Sequence, residues 1–150
     1  MRILRMTLVA VVVAGLAVDA YVHLHLASTF DPIRATISQG QLFRWEGYAA
    51  IVAAAFLLVR PGRLSAAVAA LVAGGGLAAV LLYAVVDVGP IGPLPNMYDP
   101  SWSTLKTWSA LAQAAATVAA VILLVIGARD PATHGQGRIQ PQTESEVVGR

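Results

Sequence analysis

Four stretches of this 150-residue chain stay apolar for about the length of a membrane crossing: 6–26, 41–59, 64–86 and 105–127. A run of about 18 or more apolar residues with few charges is long enough to span a bilayer as a helix. Hydrocarbon offers no partner to backbone N–H and C=O groups, so such a run must satisfy them within itself. The expected fold is therefore all-α, an integral membrane four-helix bundle. Composition agrees: 12% of the residues are charged, against about 25% in a soluble domain. Residues 1–127 form one expected four-span unit, followed by a polar tail, 128–150. That tail is rich in Gly, Pro, Gln, Ser and Thr and is expected to be disordered and cytoplasmic.

The first segment carries the least expected residues. Near its end it reads Asp19-Ala20-Tyr21-Val22-His23-Leu24-His25. An ionisable group inside a span is costly and usually faces a protein interior with a partner. Asp19 and His23 are four apart and share a helix face, whereas His25 points away from His23 and suits the interface. The basic start, Met1-Arg2-Ile3-Leu4-Arg5, and the sequence Val18-Asp19-Ala20 loosely fit a secretory signal. Apolar character continues past Asp19 to Leu26, so a retained anchor helix is the better reading.

The remaining segments bring polar groups to the same side. Asp31-Pro32 reads as a helix start, predicting a short surface helix over Ile33–Ser38 that Gly40 ends. The second span opens with Leu42-Phe43-Arg44-Trp45-Glu46; Trp45 and Tyr48 mark the interface, and Glu46 lies one turn inside. Arg60-Pro61-Gly62-Arg63 is a tight turn. The third span holds Gly74-Gly75-Gly76, and the pairs Ala70/Gly74 and Gly75/Ala79 predict close helix packing, with Gly75 at a contact. Tyr83 and Asp87 close this span on one face. Residues 88–104 contain four prolines, Pro90, Pro93, Pro95 and Pro100. This stiff loop is either a lid over the bundle mouth or a connector resting on headgroups. In the fourth span, capped by Ser103 or Thr104, the residues Ser109, Gln113 and Thr117 form one polar stripe.

The positive-inside rule sets the orientation. Arg2, Arg5, Arg60, Arg63, Arg129, Arg138 and Arg150 fall on one side, and Arg34, Arg44 and Lys106 on the other. Seven basic residues against three place both termini in the cytoplasm, and the two longer loops outside, for a multi-pass protein of the plasma membrane. The net charge of +2 is small and its basic residues are scattered, which argues against nucleic acid as a partner. With no cysteine there are no disulfides, redox pairs or thiolate metal sites.

Asp19, His23, Arg44, Glu46, Tyr83, Asp87, Ser109 and Gln113 thus gather in the outer half of the expected bundle. One reading is a structural network, with Arg44 paired to Asp19 or Glu46, and His23 bonded to Asp19 or Asp87. A second is a ligand or redox site. There Asp19, His23, Glu46 and Asp87 would offer oxygen and nitrogen to a divalent metal such as zinc or manganese. Alternatively, His23 and Tyr83 would hold a quinone-like headgroup. Haem is disfavoured, because no second span supplies a histidine. The third reading, compatible with the first, is an accessory subunit of a larger membrane complex or a homo-oligomer in the lipid bilayer. A transporter is disfavoured, since the inner half offers almost no polar lining. The layout of four spans with both ends inside is similar to that of DoxX-like small membrane proteins. That resemblance is one of topology and size, and it implies no site or activity. The reading that results is a non-enzymatic accessory or binding protein, with a metal- or quinone-linked redox component as the alternative. No cofactor is assigned.

Overall fold

In the computed structural model, which describes residues 1–128, four helices follow one another: α1 Arg2–Phe30, α2 Gln39–Val59, α3 Arg63–Val85 and α4 Thr104–Ala128. All four are long and apolar enough to cross a membrane. The architecture is that of a small multi-pass membrane protein. Large apolar side chains such as Leu58, Leu71, Leu111 and Val118 point outward, as lipid requires.

Small residues set the packing. Val12, Leu16, Ala50, Ala53, Leu57, Ala66, Ala69, Ala73, Ala116, Ala119 and Ala120 are buried in one core. Alanine lets backbones approach closely where no water drives helices together. At Gly15 a Cβ would lie 2.7 Å from the Ala112 carbonyl oxygen, so α1 and α4 cross almost backbone to backbone. α1 packs along both α2 and α4, and α3 packs along α4, but α2 and α3 touch less extensively. Their core residues, Ala50, Ala53 and Leu57 against Ala66, Ala69 and Ala73, lie towards the turn at 60–62 that joins them.

Several local expectations change. Residues 33–38 are not helical: α1 continues to Phe30, and Arg34 and Ser38 form an isolated bridge instead. Ser38 caps α2. Its Oγ accepts from the Gln41 N–H at 3.0 Å, while Gln41 Oε1 accepts from the Ser38 N–H at 2.9 Å. This reciprocal capping box satisfies two donors that a helix start leaves open. Gly40 does not stop a helix; it lies inside α2, where a Cβ would meet the Ala27 carbonyl and the Asp31 carboxylate. Asp31 caps no helix start either. It takes two hydrogen bonds from the Arg44 guanidinium, at 2.9 and 2.6 Å. The guanidinium holds the Asp31 carboxyl below the usual carboxylate range, with Ser38 assisting. Gly75 is not at a helix contact: a Cβ there would meet nothing within 4 Å.

The proline-rich loop is tied down at both ends and in its middle. Ile91 and Leu94 exchange backbone hydrogen bonds, with Gly92 at positive φ in the turn between them and Gly89 at positive φ just before it. The Ile37 N–H donates to the Pro93 carbonyl at 3.0 Å, joining the α1–α2 and α3–α4 loops, and the Asp99 N–H donates to the Tyr83 carbonyl at 3.0 Å. Ser103 caps α4 through its hydroxyl, which accepts from the Lys106 N–H.

Candidate binding cavity

Asp19 is fully buried, and its carboxylate is the junction between α1 and α4. Its Oδ1 accepts from the Ser109 hydroxyl at 3.0 Å and from the Gln113 side-chain amide. Both donors come from the α4 stripe, four residues apart, so one face of α4 presents them together. His23 lies one turn on from Asp19. Its Nδ1 is 2.9 Å from Asp19 Oδ1 and 3.0 Å from the Asp19 carbonyl oxygen. Both neighbours are acceptors, so Nδ1 carries a proton. The ring is also held edge-on to Phe43, 5.1 Å between centroids, and Phe43 in turn packs on Phe30.

Between the halves of α2 and α3 that lie away from their shared turn is a cavity of about 580 Å³. α1 forms its back wall through Val22, His23, Leu26 and Phe30, and Ser109 of α4 reaches its deep end. Phe43, Trp45 and Tyr83 add aromatic surface at the sides. Leu94 and Met97 of the proline-rich loop close over it, which fits the lid reading of that loop. The cavity exists because α2 and α3 pack near their shared turn and part beyond Ala50 and Ala73. On the α3 side of this gap stand two small exposed residues, Gly75 and Ala79. Pockets of about 300–1,000 Å³ with apolar walls and a few polar groups are the usual form of a small-molecule site.

Glu46 is the polar group that the cavity leaves unmatched. Its Oε1 is buried without a hydrogen-bond partner, as are Asp19 Oδ2 and Gln113 Oε1. Gly76 lets Glu46 and Gln113 come this close: a Cβ there would sit 2.7 Å from Glu46 Oε1 and 2.5 Å from Gln113 Nε2. The third span's glycines therefore serve the polar cluster through Gly76, while Gly75 faces the open cavity.

The sequence-derived set of residues divides. Asp19, His23, Ser109 and Gln113 form one hydrogen-bonded unit, with Glu46 beside it, and Tyr83 stands on the cavity wall. Arg44 does not join them. It faces the α1–α2 loop and binds Asp31, so neither Asp19 nor Glu46 is its partner. Asp87 also stands apart. α3 ends at Val85, and the Asp87 carboxylate organises the following loop by accepting from the Gly89 N–H and the Asn96 amide. The four candidate metal ligands Asp19, His23, Glu46 and Asp87 are thus not brought together, and no group of three acidic or histidine side chains among the described residues is placed to hold a metal. His25 is exposed and stacks on Tyr21, as its position on the opposite helix face predicts.

Sequence reasoning missed Lys106 and Asp99 at the cavity rim. The Lys106 ammonium donates to the Asp99 and Ser101 carbonyls and lies 3.3 Å from the Asp99 carboxylate. It also sits 5.3 Å from the Trp102 ring centroid. The signal was the spacing of Asp99, Trp102 and Lys106 across the loop–helix junction. Comparison with protein-family models, curated proteins and solved structures finds no match.

Proposed function

We propose that this is a plasma-membrane protein with both ends in the cytoplasm that binds a lipid-soluble small molecule between the outer halves of α2 and α3. On this reading it works without catalysis, as a binding or accessory component of the membrane. One observation carries the reading: the cavity is walled by apolar and aromatic side chains, yet ends on Glu46, a carboxylate with a buried, unpartnered oxygen. A helix bundle that needed only to pack would gain by filling this space with apolar side chains, since burying an unpaired polar group is costly. The Asp19 network supports the site from behind by fixing His23 and Gln113. The lid loop and the small-residue flank supply a cover on the aqueous side and an entrance from lipid.

Filling the entrance tests this. Ala79→Trp places a large ring on the flank between α2 and α3. The protein in lipid nanodiscs should bind an apolar fluorescent probe saturably, beyond its partition into empty nanodiscs. Ala79→Trp should lose that binding while its melting temperature stays within about 2 °C of the parent, a ΔΔG of about 0.5 kcal/mol or less. Equal binding by parent and variant would place the probe elsewhere and overturn the reading.

A further inference from the structure

We propose that the ligand of this cavity carries a protonated amine, which Glu46 receives. The inference rests on the cavity being a binding site and specifies the chemical class that it takes. Besides the phenol of Tyr83, four acidic or basic side chains line the cavity: His23 from α1, Glu46 from α2, Asp99 from the proline-rich loop and Lys106 from α4. Three of them are committed. His23 Nδ1 is bound to Asp19, and the Asp99 carboxylate and the Lys106 ammonium face one another. The Lys106 ammonium has three N–H donors, and two carbonyls and the Asp99 carboxylate take them. Arg44, between the lining residues Phe43 and Trp45, is held by both oxygens of Asp31. Of these charged groups, Glu46 is the one with no hydrogen-bond or ion-pair contact among the described residues.

The unmet groups at the deep end are all acceptors. Glu46 Oε1 has no donor, and directly behind it neither do Asp19 Oδ2 and Gln113 Oε1. Gln113 and Asp19 are fully buried, so bulk water does not supply the missing donors. Against Glu46 an oxidised quinone would set a carbonyl, another acceptor, and a fatty acid would set a second carboxylate. An ammonium group brings donors and a charge of the right sign. The walls suit it as well, since Phe43, Trp45 and Tyr83 present aromatic rings, whose faces attract cations. In the low dielectric of a span, an amine–carboxylate contact is stronger than the same contact in water.

Three probes with one tail separate the head groups: 4-phenylbutylamine, 4-phenylbutanol and 4-phenylbutyrate. Each is measured by equilibrium dialysis against the full chain in lipid nanodiscs, with empty nanodiscs correcting for partition. The amine should bind at least tenfold more tightly than the alcohol, and the acid more weakly than either. Glu46→Gln should reduce amine binding to the level of the alcohol, while alcohol binding remains saturable. Retained alcohol binding also shows that the variant is folded. An amine that binds no better than the alcohol, or a preference that survives Glu46→Gln, overturns the amine assignment while leaving the cavity as a binding site. Failure of all three probes to bind saturably overturns the assignment too, and counts against the cavity as a site.

Discussion

Asp19 illustrates what one residue contributes when lipid is the solvent. Three donors converge on one of its oxygens, and two of them cross from α4 to α1. Interhelical hydrogen bonds of this kind are worth about 0.6–2 kcal/mol each in membrane proteins. Asp19→Ala should therefore destabilise the bundle by about 1–3 kcal/mol, read as a lower melting temperature in nanodiscs. A double-mutant cycle assigns the loss to its partners. Asp19→Ala with Gln113→Ala should couple by about 0.6–2 kcal/mol, whereas Asp19→Ala with Arg44→Met should be additive within about 0.5 kcal/mol. A strong Arg44 coupling with none to Gln113 would contradict the geometry. The depth of Asp19 in an apolar run already shows that it needs a partner, and the Ser109–Gln113 spacing already shows two donors on one helix face. What the sequence leaves open is the choice among partners. Arg44 looks the stronger candidate by charge, but Asp31 lies close to the start of α2 and takes it first.

At the level of the helices, α3 shows how finely a glycine run is read by its neighbours. Gly75 and Gly76 are consecutive, but successive residues on a helix point about 100° apart. Gly75 therefore opens onto the cavity, and Gly76 onto Glu46 and Gln113. A methyl at Gly76 would push the Gln113 amide away from Asp19, and overpacking of this kind typically costs about 1–3 kcal/mol. Gly76→Ala should accordingly lower the melting temperature, while Gly75→Leu should leave it unchanged or raised, because the added side chain enters open space. The reverse order of stabilities would mean that α3 is rotated from the position described. Glycine spacing alone identified close packing somewhere on α3. It could not say which of three adjacent glycines faces the partner, because that depends on the rotation of the whole helix in the bundle. The start of α2 is legible in the sequence. Ser38 and Gln41 stand at the spacing of a capping box, a local signal that Asp31-Pro32 obscured by suggesting an earlier helix.

For the molecule as a whole, the number and approximate extent of the helices follow from the sequence, because bilayer thickness dictates how long an apolar run must be. The cavity does not follow, since it depends on which pair of neighbours packs along only part of its length. Here that pair is α2 and α3, whose buried alanines lie towards their common turn. The four helices bring Arg2 and Ala128 to one face, along with the turn at 60–62, and leave the two longer loops on the other. The basic residues then bear on which face is which. Arg2, Arg5, Arg60 and Arg63 stand on the face of the termini. On the opposite face, Arg44 and Lys106 are paired with Asp31 and Asp99. Lys and Arg beside short loops are retained on the cytoplasmic side, so the termini should be cytoplasmic and the cavity should lie in the outer leaflet. The absence of cysteine makes this directly measurable with single-cysteine variants at two exposed positions. In intact cells a membrane-impermeant maleimide should label Ala35→Cys in the first outer loop. It should label Gly62→Cys in the α2–α3 turn only after the membrane is permeabilised. The opposite pattern would invert the protein, placing the cavity and Glu46 in the cytoplasmic leaflet and its ligand with them.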